Sequence, residues 1–210
     1  MNRFLRRLLT PVAVGFVLCP ADARAHRIPG VKALNPGDAF TIGSFKGMLR
    51  GADGHYALGP IDMAASRDGS ALAFLIFDPV APRDVLEAKK FEAELKKLPH
   101  THAFLVLPPA RSVTVLATVL AAMDRTGLSL PTIIDDRDVF PYMFQHSIKT
   151  TPRYELFDRT QTLVIENASA LTERVGGSPV QVQIHRLDRG EKVEPIAVSN
   201  EQQADYDPRE

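Results

Sequence analysis

Several residues in this chain have the types and spacings that do chemistry. Asp78 and Asp84 flank Pro79-Val80-Ala81-Pro82-Arg83 where an apolar run gives way to a helical pattern. Such a pair can hold a cation or a partner's basic group. An acidic first turn more commonly interacts with the amides of its own helix, and that reading is adopted here. Asp135-Asp136-Arg137-Asp138 offers the same choice, and a helix cap is again the simpler role. His100-Thr101-His102 is the one close histidine pair. Residues two apart in a strand share a face, so both imidazoles can reach one copper or zinc ion. His26 would add an amine and an imidazole if it became the amino terminus. Two histidines at a loop-strand boundary are more often solvated polar residues, so no cofactor is the primary expectation and copper or zinc the alternative. No glycine-rich loop for a nucleotide phosphate is present.

Thiol chemistry is excluded by position. The single cysteine, Cys19, lies in Leu8 to Leu18 plus its flank, an apolar run preceded by Arg3, Arg6 and Arg7. The run is far shorter than the roughly 20 residues a spanning helix needs, so it reads as a leader and not a stable membrane anchor. The small-residue pairs Ala21/Ala23 and Ala23/Ala25 then supply cleavage sites, making residues 1–25 a signal peptide and the periplasm the expected address. Lipidation of Cys19 is the weaker alternative, because Leu18 stands where a small residue is required. Loss of the leader removes four of the 25 basic and one of the 25 acidic residues, leaving a charge of about −3. Such a charge is no platform for nucleic acid.

The elements that position these residues follow from periodicity. Gly and Pro recur too closely between 26 and 69 for a long helix, so that stretch reads as an irregular lead-in with short strands at 39–42 and 55–58. Ala71 to Phe77, Ala103 to Leu107 and Thr132 to Ile134 have the continuous apolar character of strands covered on both faces. Between them, Val85, Ala88, Phe91, Leu95 and Leu98 recur at helical spacing from Pro82 to the stop at Pro99, with Asp84, Glu87 and Glu94 assigned to the wet face. Ser112 to Arg125 forms a second helix ending at Gly127, and residues 138–146 a short aromatic one. A hairpin joins 154–157 to 162–165. A helix at 169–175 and an alternating edge strand at 180–184 complete a domain spanning 70–188, and 189–210 is read as a flexible polar tail.

This order is an α/β three-layer sandwich with a mixed sheet. Together with Thr151-Pro152 before the hairpin strand and Phe157-Asp158-Arg159 at its turn, it resembles the thioredoxin-like superfamily, in particular its exported redoxin branch. The resemblance covers about residues 38–177. It implies a cis-proline at Pro152 and, in the loop after the first central strand, a nucleophilic cysteine at the start of the next helix. Here that loop is Asp78 to Asp84 and has no thiol, so the disulfide-exchange and peroxidase activities do not carry over. Sco-type copper chaperones, which resemble it in fold, use two cysteines that are also missing. The resemblance leaves a redox-inactive module that binds a periplasmic protein. Its candidate binding residues are Asp78, Pro82, Tyr142, Phe144, Thr151, Pro152 and Arg153. The aromatics among them also suit the core, which is the preferred reading for Phe140, Tyr142 and Phe144. A periplasmic metal carrier using His26, His100 and His102 is the alternative.

Overall fold

Continuous apolar runs fold as central strands, because helices can then cover them on both faces. The computed structural model describes residues 32–107, 113–135, 139–144 and 151–198. In chain order the elements are β1 (Ser44–Arg50), β2 (Tyr56–Asp62), β3 (Ala71–Ile76), α1 (Pro82–Leu95), β4 (Thr101–Leu107), α2 (Val113–Thr126) and β5 (Thr132–Ile134). There follow α3 (Val139–Phe144), β6 (Arg153–Phe157), β7 (Leu163–Ala168), β8 (Arg174–Val175), β9 (Ser178–Pro179), α4 (Val180–Asp188) and β10 (Ile196–Ala197). Eight strands make one mixed sheet in the order β10-β7-β6-β3-β4-β5-β1-β2. β3, β4 and β5 are parallel through the crossovers α1 and α2, and β6 runs antiparallel to β3.

The pleat sorts the core into two layers. Ala73, Leu75, Leu105, Tyr154 and Leu156 pack on Ala88 and Phe91 of α1, Met123 of α2 and Ile184 and Leu187 of α4. On the opposite face Leu72, Phe74, Ile76, Phe104 and Val106 meet Val139, Phe140, Met143 and Phe144 of α3 together with Leu34 and Phe40. Three layers result, as the alternation of elements requires.

Several local expectations are corrected. The strand expected at 55–58 is the first part of β2, but the lead-in also holds β1, which periodicity does not indicate. β1 pairs with β5 as well as with β2, so this hairpin extends the central sheet. Gly47 permits that docking, since a Cβ there would stand 2.2 Å from Ile61 Cδ1 and 2.7 Å from the Thr132 carbonyl oxygen. The expected strand at 39–42 is reduced to a single bridge, Ala39 to Thr162.

Residues 180–184 are helical, not an edge strand. Their five-residue alternation hid the longer pattern Val180, Gln183, Ile184 and Leu187, all buried on one side of α4. Residues 169–175 form no helix. There Ser169 is held by the Glu173 carboxylate, and the Gly176-Gly177 turn, with φ of 57° and 84°, closes the small β8–β9 pair. Residues 189–198 are less free than their composition suggests, because β10 adds a parallel strand beside β7 and Val193 is buried, and residues 199–210 lie outside the described residues.

Candidate functional site

The end of β3 and the start of α1 make the place where chemistry would be sought. Ala81 is the N-cap residue of α1 and Pro82 opens its first turn. The loop closes on itself. Asp78 Oδ1 accepts the Val80 N–H at 2.9 Å, the Asp78 carbonyl accepts the Ala81 N–H at 3.1 Å, and Asp84 Oδ2 accepts the Asp78 N–H at 2.9 Å. Asp84 is buried, and its carboxylate holds the amide at the strand end instead of amides of its own helix as expected. Asp78 is half-buried and Pro82 exposed.

The residues expected beside this loop separate by burial. Register places Arg153 opposite Ile76, the last residue of β3. The Thr151–Pro152 bond is cis, Thr151 is half-buried and Pro152 is buried. Arg153 is itself buried, and the loss of water pulls its guanidinium below its ordinary pKa, opposed by Glu155 and Glu173. Phe144 is fully buried with Phe140 and Met143 against Phe74 and Phe157. Phe144 thus takes the core role preferred for it, because the sheet face under α3 needs apolar cover, whereas Arg153 is corrected from a partner-facing to an interior residue, since it lies within a fully buried strand. The Tyr142 side chain lies outside the described residues.

Asp135 caps α3, accepting the N–H groups of Val139 at 2.7 Å and Phe140 at 2.9 Å. Asp136 to Asp138 and His26 lie outside the described residues. His100 is exposed. The His102 ring lies 3.0 Å from Asp68 Oδ2, and that contact, with Ser70, holds the Asp68 carboxyl down at about 2. Among the described residues no three His, Cys, Asp or Glu side chains converge as a metal-binding set.

The sequence reading missed a row of buried carboxylates. Asp84, Glu87 and Glu94 were assigned to the wet face of α1, yet all three are buried on its inward face. Their spacing was the available signal: 84, 87, 91, 94 and 98 continue one three-four repeat through Phe91 and Leu98. Glu87 Oε1 accepts the Leu171 N–H at 2.7 Å and the Tyr154 hydroxyl at 3.3 Å. Glu94 Oε1 meets His185 Nε2 at 2.5 Å, tying α1 to α4. The His185 contact holds the Glu94 carboxyl at about 2, with Gln181 and Lys97 adding to it against the opposing effect of burial. A lowered folded-state pKa means this stabilisation is complete above the ordinary value of 4.5 and is lost as pH falls toward 2. Acid titrations followed by circular dichroism should therefore show a shallower loss of stability over that range in His185→Ala, which starts less stable, than in the unaltered protein.

Glu166 on β7 behaves in the opposite sense. Burial first, and the charge of buried Glu155 second, raise its carboxyl from 4.5 to about 8. The folded protein keeps a proton that the unfolded chain releases, so stability is greatest below pH 4.5 and falls as pH rises through about 8. Glu166→Gln should remove this fall, raising the melting temperature by several degrees at pH 9 and little at pH 5. Equal curves for both proteins across that range would refute it.

No family model and no curated protein matches the sequence. Solved structures do. Mycobacterium tuberculosis AhpC is 16% identical, with a TM-score of 0.51 over 75% of this chain and 98% of its own. A hypothetical protein from Sinorhizobium meliloti 1021 is 19% identical with a TM-score of 0.50, covering 78% and 93%. A proposed thiol-disulfide oxidoreductase from Bacteroides vulgatus is 18% identical with a TM-score of 0.50, covering 73% and 97%. The βαβ core, the antiparallel hairpin that follows it and these likenesses identify the chain as a protein of thioredoxin-like fold, one whose described residues contain no cysteine.

Proposed function

We propose that this chain is a redox-inactive thioredoxin-like protein of the periplasm that works by binding another protein, as a recognition or assembly module. The observation that carries the reading is the loop from Asp78 to Asp84. At the helix start where a thiolate would be stabilised stands a buried carboxylate already committed to the Asp78 amide. A scaffold that keeps its sheet and helices while its reactive position is closed retains a surface and loses a nucleophile. The basic and apolar run at residues 3–18, followed by small residues at 21, 23 and 25, supports export. No helix among the described residues is long and apolar enough to cross a membrane.

The test is capture of interacting proteins by the exported form from periplasmic extract, with metal analysis of the same sample. A stoichiometric protein partner and no bound metal is the expected result. Copper or zinc near one equivalent, without a protein partner, would contradict it.

A further inference from the structure

The surface beside the closed loop is apolar and cationic. Pro79, Val80, Pro82 and Leu86 line a groove of about 400 Å³ between the start of α1 and the second half of α2, with Lys89 and Arg125 at its edge. Val80 is 59% and Leu86 56% exposed, so two of the five large hydrophobic residues exposed among the described residues lie in this one groove. Isolated exposed apolar residues need no explanation, but Val80 and Leu86 share one concavity.

The charge around it is one-sided although the whole chain is balanced at 25 basic and 25 acidic residues. Asp84 and Glu87 are buried in the core and Glu92 accepts the Ser129 N–H and hydroxyl, while Asp124, which stays partly exposed, accepts the Tyr56 N–H at 3.2 Å and lies 3.5 Å from His55. Among the described residues neither Lys89 nor Arg125 has an ion-pair partner, and Arg83 stands exposed at the same end of α1.

We infer that this groove is the docking site for a partner's polypeptide segment in which apolar side chains stand beside aspartate or glutamate. This rests on the protein-binding reading and names its surface and the chemistry of its partner. The apolar side chains cover Val80 and Leu86, and the carboxylates meet Lys89 and Arg125. Apolar contact supplies affinity, and the cations select against basic segments.

The probe is a fluorescein-labelled leucine-aspartate-serine repeat peptide, compared with its leucine-lysine-serine counterpart by fluorescence anisotropy on the leader-free protein. The acidic peptide should bind at least tenfold tighter than the basic one and weaken as salt is raised. The double charge reversal Lys89→Glu with Arg125→Glu should invert the preference. Leu86→Asp should weaken the acidic peptide at least tenfold with the melting temperature kept, since Leu86 is exposed. Equal affinity for both peptides, binding of neither, or a preference untouched by the charge reversal overturns the inference. Insulin reduction and peroxide consumption measured on the same samples separate the two readings. Turnover there refutes the redox-inactive reading, whereas failed peptide binding without turnover refutes only the groove.

Discussion

Replacing Glu87 by alanine is expected to destabilise the protein by about 2–5 kcal/mol, because two buried donors lose their acceptor together. Glu87 Oε1 receives the Leu171 N–H from the segment after β7 and the Tyr154 hydroxyl from β6, so one carboxylate joins α1 to two parts of the hairpin side of the sheet. Burial and the Glu87 charge push the Tyr154 hydroxyl well above its ordinary pKa, which keeps it a donor at every working pH. Glu87→Gln retains an oxygen acceptor and should cost less than half as much. Tyr154→Phe removes a donor along with its need and should cost about 1 kcal/mol. Urea unfolding should show lowered midpoints with an unchanged slope. A loss below about 1 kcal/mol in Glu87→Ala would mean that water replaces the carboxylate and that the site is wetter than its burial implies.

The second large effect is expected at Phe74, in the middle of β3. Its ring lies 5.1 Å from Phe140, 5.4 Å from Phe40, 5.7 Å from Phe157 and 5.9 Å from Phe104, in edge-on and tilted arrangements that suit aromatic quadrupoles. Four rings from four separate parts of the chain cannot all move inward at once. Phe74→Ala should therefore leave a cavity and cost about 3–5 kcal/mol, while Phe74→Leu should cost clearly less. A loss under 2 kcal/mol for the alanine variant would show that this layer collapses readily, and that α3 is held loosely.

These two positions also mark what could be read without coordinates. β3, β4 and β5 were legible because buried strands carry uninterrupted apolar runs, the hairpin because four turn residues separate two short strand-like segments, and α1 because its apolar residues repeat over several turns. The role of Asp135 as a cap followed from its place before α3. For Glu87 the spacing with Phe91 and Leu98 was a signal of burial that its charge outweighed. A carboxylate in an amphipathic helix is ordinarily solvated, and only its partners on β6 and after β7, far away in sequence, make burial tolerable. Long-range partners equally decided residues 180–188, whose alternation favoured a strand until Leu187 is counted with the rest. At the candidate site, the missing thiol was visible from composition and order alone. The closing of the loop by Asp84 depends on a side chain turning back toward β3, which spacing does not specify.

The proposed reading of a fold that binds without reacting rests on the loop from Asp78 to Asp84, which has no thiol and in which the Asp84 carboxylate is committed to the Asp78 amide. Its most direct test is turnover by protein lacking residues 1–25 in insulin reduction and in peroxide consumption, with Asp78→Ala and Asp84→Ala measured alongside. No rate above the buffer blank is predicted for any of the three proteins, since neither carboxylate supplies the nucleophile that disulfide exchange requires. A rate above the blank that Asp78→Ala or Asp84→Ala abolishes in a folded variant would contradict the account, because it would reveal carboxylate chemistry at the helix start.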